Sequence, residues 1–339
     1  MTAESDQNHS PRTHPTPTEP TATRIRVTPN LFSIAFGFAG LANCWQFAHA
    51  QRWAPAWPAT ALFCVSALVW AVLVVAWGAQ FRPGRLRLGA ELRHPVYGPF
   101  VSLPPIVGML LGAALALVAP DAGRVIVDVF AFLTLGLGGW LTAGWIMEEG
   151  HLDDWHPGYF LPTIAGGLVA AGPLAAVGQR GLAQCAFGIG MICWLSLGSV
   201  VLGRLFVRPL LPAPLLPTLA IEAAPPAVAA NAVLLLNGDH WDLLSGALTG
   251  YAVLMMLVQL RLVRIYRDLA FSAGFWAFSF SYATVAALAL RLIAASRPGI
   301  RMPLADTVLA AITLLVLGLT IGTIRALALG SFLVRTPRA

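Results

Sequence analysis

Phe275-Trp276-Ala277-Phe278-Ser279-Phe280-Ser281-Tyr282 opens an apolar run that continues to about Ala295 and places five large rings within eight residues. An α-helix needs a run of about this length, roughly 20 residues, to cross the hydrocarbon core of a bilayer. On such a helix residues i and i+4 share a face, so Trp276 and Phe280 lie one above the other with Ser279 and Ser281 close by. An aromatic strip of this kind either packs against lipid and neighbouring helices or plugs a lumen. The strip by itself leaves both uses open.

Working outward, nine further runs of near-spanning length begin close to Leu31, Ala59, Phe100, Val125, Tyr159, Leu182, Pro214, Leu243 and Leu304. The 339 residues are 58% hydrophobic and only 11% charged, too little polar surface to coat a soluble globule. The fold class is therefore all-α integral membrane, with ten transmembrane helices. Residues 1–26, rich in Thr, Pro, Ser and charge and without the apolar core of a signal peptide, read as a disordered cytoplasmic tail. Residues 27–333 form the membrane domain, and 334–339 a second short cytoplasmic tail.

The 21 basic residues are all Arg and lie between the apolar runs rather than on one face, which argues against nucleic acid as a partner. Fifteen fall on the side of the termini and five on the other, with Arg291 inside a span. The positive-inside rule then places both termini in the cytoplasm of a multi-pass protein of the inner (plasma) membrane. Cys44, Cys64, Cys185 and Cys193 sit inside apolar runs with no Cys-x-x-Cys spacing, so they form neither a disulfide nor a zinc framework.

Proline divides the spans. The third carries Pro104-Pro105, the fifth Pro162 and Pro173, and the seventh Pro217 and Pro225-Pro226, whereas the even spans carry none. Proline in a helix removes a hydrogen bond, and broken helices are tolerated where the freed groups are buried in protein or face a watery cavity. The odd spans are thus the candidates for lining a path, with the even spans outside. A repeat supports five helical hairpins: His94-Pro95-Val96-Tyr97 introduces the third span, His156-Pro157-Gly158-Tyr159 the fifth and Leu216-Pro217-Thr218 the seventh. Gly108 with Gly112, Gly246 with Gly250 and Gly318 with Gly322 have the spacing that lets helices approach closely.

Two features point toward other chemistry. Glu148-Glu149-Gly150-His151-Leu152-Asp153-Asp154-Trp155-His156 offers six possible metal ligands but no metal-ligand spacing, so it reads as a solvated loop. A membrane-embedded metal-dependent enzyme is the less favoured alternative, because no nucleotide loop, nucleophile elbow or zincin motif accompanies it. No metal, cofactor or catalytic residue is assigned. Glu222 lies within the seventh span, where carboxylates are costly and often functional, which keeps a proton-coupled carrier open. Arg325 falls at a similar depth in the tenth span, so either it pairs with Glu222 or it snorkels to the interface.

Between about Thr28 and Ser331 the motifs resemble the tellurite-resistance/dicarboxylate transporter family, which includes the plant guard-cell slow anion channels. They are the His-Pro start of the third span, Pro157-Gly158-Tyr159-Phe160-Leu161-Pro162, Leu216-Pro217-Thr218-Leu219-Ala220-Ile221, Ala224-Pro225-Pro226 and Phe275-Trp276-Ala277-Phe278-Ser279-Phe280. The resemblance implies odd helices around a pore, one pore per subunit of a homotrimer, and transport of small inorganic or organic anions such as chloride, nitrate, sulfite or C4-dicarboxylates. Phe280 matches the family's pore-blocking phenylalanine; Ser281 departs from the proline that the plant channels have there. Trp276, Pro104, Pro162, Pro217, Glu222 and Pro225 are the candidate lining or supporting residues. The expectation is an anion channel or channel-like transporter with Phe280 as its gate, or alternatively a proton-coupled dicarboxylate or sulfite carrier.

Overall fold

The computed structural model describes residues 23–81 and 87–337. Most of the expected N-terminal tail, together with Arg82 and Arg85, lies outside them. Among the described residues ten helices are long and apolar enough to cross a membrane: Pro29–Ala50, Trp57–Gly78, Gly98–Leu115, Pro120–Met147, Pro157–Ala176, Arg180–Val207, Ala213–Leu236, Leu243–Tyr266, Ala273–Ala294 and Pro298–Ala328. Each odd span packs on the even span that follows it. The odd spans also touch one another in the order first, third, fifth, seventh, ninth and back to the first, which closes a five-membered ring.

Burial separates the two sets. Between 56% and 78% of the apolar window of each odd span is buried, against 11% to 28% of each even one. The even spans turn bare apolar side chains outward, among them Val75, Phe132, Leu195, Leu260 and Leu314. A surface of that composition is stable against lipid and not against water.

Every odd span starts with a tighter, 3-10 segment, Pro29–Phe32, Gly98–Ser102, Pro157–Phe160, Ala213–Ala223 and Ala273–Trp276, and in the fifth this is followed by a wider π-helical turn, Leu161–Ala165. Proline near the start accounts for four of the five, because it donates no hydrogen bond and presets the backbone. The ninth has none. There Gly274 lies so close to the seventh span that a Cβ would meet the Pro214 carbonyl at 3.2 Å and Pro217 Cγ at 3.5 Å.

The His-Pro repeat has a local cause as well. His156 Nδ1 accepts from the Gly158 amide at 3.1 Å, and His94 Nδ1 accepts from the Val96 and Tyr97 amides at 3.1 and 3.2 Å. Each imidazole occupies amides that would otherwise lack acceptors, the role Asn or Asp usually plays at a helix start.

Three expectations change. Thr23–Arg26, assigned from composition to the tail, is a strand paired antiparallel with Val334–Pro337. Composition is local and does not see a partner at the other end of the chain. Arg26 extends from this pair to Glu91, 2.6 Å away and fully buried. The tenth helix begins at Pro298, so Pro303 lies inside an even span, near the start of a 31-residue helix where one lost bond does little. Among the glycine pairs, a Cβ on Gly108 or Gly112 would strike Phe130 or Ile126 at 2.5 and 2.8 Å, and one on Gly322 would strike Phe271 at 2.8 Å. Gly246, Gly250 and Gly318 meet nothing within 4 Å.

Candidate functional site

Three cavities follow one another through the ring of odd spans. At the side where these spans begin, a cavity of about 270 Å³ is bordered by Asn30, Tyr97, Phe100, Thr218, Ala277 and Phe332. Next is a central one of about 40 Å³, room for only a few waters, against Ser33, Phe36, Phe100, Phe160, Pro225 and Phe280. Toward the other side a vestibule of about 340 Å³ is bordered by Asn43, Gln46, Asn231, Thr284, Arg291 and, again, Phe280. Phe100, Ser33 and Ala277 border the first two cavities; Phe280, Leu168, Val169 and Val228 border the last two.

Phe280 is 9% exposed and lies flat on Phe36 of the first span, with ring centroids 3.4 Å apart and planes 12° from parallel. Gly40, one turn beyond Phe36, leaves the ring its place: a Cβ there would sit 3.0 Å from Phe280 Cδ2 and 3.0 Å from Ala283 Cβ. Trp276, one turn before Phe280, borders the central cavity and is fixed by a 2.8 Å bond from its Nε1 to Thr323 Oγ1 on the tenth span.

The other rings of the strip face away. Phe278 meets Tyr266 edge to face at 4.8 Å, and Tyr282 donates to Gln259 Oε1 at 3.3 Å. Gln259 Nε2 in turn donates to the Leu219 carbonyl of the 3-10 segment, at 2.9 Å. The strip therefore divides between packing on the eighth span and bordering the axial cavities.

Of the other candidates, Pro225 borders the central cavity. Pro104, Pro162, Pro217 and Glu222 border none of the three and stand behind the lining. The Pro104 carbonyl, in the first turn of the α-helical part of the third span, accepts from Trp70 Nε1 at 2.8 Å. Glu222 has a buried Oε1 with no hydrogen-bond partner, and Arg325 is exposed and forms no ion pair with it.

Charge along this axis is sparse. Among the described residues, no ionisable side chain except Tyr97 borders the first two cavities, and Arg291 is the one charged group bordering the vestibule. The starts of the first, third, seventh and ninth spans border the first cavity, so four positive dipole ends lie around it. The 148–156 loop lies off the axis. Glu148 pairs with Arg93 at 2.9 Å and Asp153 with Arg208 at 3.7 Å, while His156 points inward as a cap. Burial, with the nearby Arg204 charge adding to it and a bond to the Pro95 backbone opposing, holds the His156 imidazole down at about 4. Among the described residues, no three His, Cys, Asp or Glu side chains are grouped so as to hold a metal ion.

The model of the SLAC1 family, described as voltage-dependent anion channels, matches residues 26–324. The chain belongs to that family. It is also 30% identical over 262 residues to a tellurite resistance protein TehA homolog of Haemophilus influenzae, covering 75% of this chain and 78% of that one. Members of the SLAC1 family are membrane anion channels or transporters, and the ten spans described above are a multi-pass form suited to that class.

Sequence reasoning missed Phe36, Gly40 and the polar vestibule. A signal for the first two was present: Phe36 and Gly40 are four residues apart, one face of a helix, with a ring next to a gap. Asn43, Gln46, Asn231 and Thr284 carry no such pattern, and only the ring of spans brings them together.

Proposed function

We propose that the chain is a passive channel for small anions, that the path runs through the three axial cavities, and that the Phe280 ring resting on Phe36 closes it. One observation carries this reading: Phe280 borders both the central cavity and the vestibule and is stacked at 3.4 Å on the ring opposite. Anions rather than cations are favoured because, among the described residues, no carboxylate borders the cavities, helix dipoles present their positive ends at one mouth, and Arg291 supplies the one formal charge at the other. A neutral, apolar middle holds no anion tightly, which favours passage.

The proposal includes the inner (plasma) membrane, cytoplasmic termini on the arginine-rich side and a homotrimer with one path per subunit. Gly246 and Gly250, which meet nothing within 4 Å in the subunit, leave room for a neighbouring helix. A proton-coupled dicarboxylate or sulfite carrier is the second reading and rests on Glu222; its position behind the lining favours the channel.

The test is anion flux into proteoliposomes, measured per folded subunit for chloride, nitrate, sulfite and malate, with and without a pH gradient. Tellurite, which the relative's name carries, belongs in the comparison. Phe280→Ala should raise flux with little change in selectivity, because the ring obstructs without carrying charge. A Phe280→Ala protein that folds normally and conducts no better than its parent ends the gate assignment, and flux that requires a pH gradient favours the carrier.

A further inference from the structure

Arg291 stands in the last turn of the ninth span, with its side chain 16% exposed and its guanidinium 5.0 Å from the centroid of the Phe47 ring. Its Nη1 binds Asp239 Oδ1, a residue of the turn between the seventh and eighth spans. That turn is firmly built. Gly238 and Asp239 both take left-handed backbone angles, φ 65° and 61°, and the Asp239 amide closes onto the Leu234 carbonyl at 2.7 Å. Beyond it, Asp242 caps the eighth span by accepting from the Ser245 amide at 2.8 Å, and Asn237 donates to Asp242 at 2.8 Å. Arg180 holds the Leu236 carbonyl at 2.6 Å from the other side.

A carboxylate is thus held against the single cation of the vestibule. It is not sealed there: the Asp239 side chain is 63% exposed, and an ion pair this wet exchanges readily with ions from solution. The groups around it, Asn43, Gln46, Asn231 and Thr284, are neutral, so nothing else bordering the vestibule sets its charge.

We propose that Arg291 is the side chain that concentrates anions in the vestibule and that Asp239 is a tethered competitor for it, which an anion must displace or share before it reaches Phe280. This rests on the channel reading and names the pair that sets apparent anion affinity at that mouth. Removing the Asp239 charge leaves Arg291 uncompensated. The local anion concentration should then rise about threefold, the Boltzmann weight of one unit charge a few ångströms away in water with partial screening.

The experiment uses the full chain in proteoliposomes on a Phe280→Ala background, with chloride presented on the vestibule side over a range of concentrations. Asp239→Asn is a mild change, since Asn adopts the left-handed angles as readily as Asp. It should lower the half-saturating chloride about threefold, and the gain should shrink as ionic strength rises. Asp121→Asn removes a charge from the same side, at the exposed start of the fourth span, and should change nothing. In an Arg291→Gln protein, Asp239→Asn should no longer help; in an Arg291→Lys protein it should help still, which keeps the test available if the glutamine variant does not fold.

An Asp239→Asn protein with unchanged half-saturation, or one no different from Asp121→Asn, overturns the proposal. So does a gain that persists without a cation at 291. Absence of flux from the Phe280→Ala parent is a separate result: it refutes the channel reading and this proposal with it.

Discussion

Phe36→Ala tests whether the closure is one ring or a stack. Phe36 is 5% exposed and meets Phe280 face to face at 3.4 Å. Truncating a buried Phe costs about 3–5 kcal/mol, and the low end applies because part of this ring already faces the central cavity and loses no contact there. The stack itself contributes about 0.5–1.5 kcal/mol beyond burial. Phe36→Ala combined with Phe280→Ala should therefore fall short of additivity by that amount. Flux follows from the same geometry. Removing one of two rings stacked at 3.4 Å clears a gap of one ring thickness, wider than a water molecule of about 2.8 Å, so the constriction wets and the central cavity joins the vestibule. Flux per folded subunit, measured alongside thermal unfolding in detergent, should rise in Phe36→Ala and rise no further in the double variant than in Phe280→Ala alone. A Phe36→Ala protein that folds normally and conducts at the parental rate, or strictly additive stability losses, would refute the stack as the closing element.

Further predictions concern the scaffold. His156 is held near 4 in the folded chain against an ordinary 6.5, so the unfolded chain takes up the proton first as pH falls. Stability from this site should be constant above about 6.5, fall by about 3 kcal/mol down to about 4 and then level off; His156→Asn, which keeps a capping oxygen, should flatten that part of a pH-dependent unfolding curve. Gln259→Leu removes a side-chain donor from the Leu219 carbonyl and strands the Tyr266 hydroxyl, which bonds Gln259 at 2.8 Å, and should cost on the order of 1–3 kcal/mol, read as a drop in melting temperature. Glu91→Gln takes the charged partner from Arg26, whose side chain is 21% exposed while that of Glu91 is fully buried, and should cost about 1.5–3 kcal/mol, while replacing both by apolar residues of similar size should cost less; equal losses in the two would show that the pairing itself matters little.

Much of the architecture was legible because it depends on periodicity and punctuation. Ten apolar runs gave ten helices, since spanning length is a requirement each segment meets alone. The prolines of the third, fifth and seventh spans marked the helices whose backbones depart from α, and these are among the well-buried ones. The ninth span escaped that rule because its 3-10 turn comes from close approach at Gly274 to a helix distant in sequence. The prolines at 104, 162 and 217, candidates for lining or supporting a path, shape the helices that border the cavities without bordering them. Phe280 was singled out through resemblance, while Phe36 and Arg291 stand out only beside partners 244 and 52 residues away, Phe280 and Asp239 respectively.

The closed ring has a consequence for how the protein is made. Its first and ninth spans are neighbours in space, yet the ribosome delivers them at opposite ends of synthesis, and the two-stranded clasp of Thr23–Arg26 with Val334–Pro337 fastens the same seam. Contacts so distant along the chain form late, after the intervening hairpins are in the membrane. Phe36 and Phe280 face each other across that seam. The last joint to be made is therefore the one at which the proposed closure lies, and if that proposal holds, a subunit whose seam has not shut is a leaking one: the quality of assembly and the tightness of the closed state are then, at this point in the molecule, a single property.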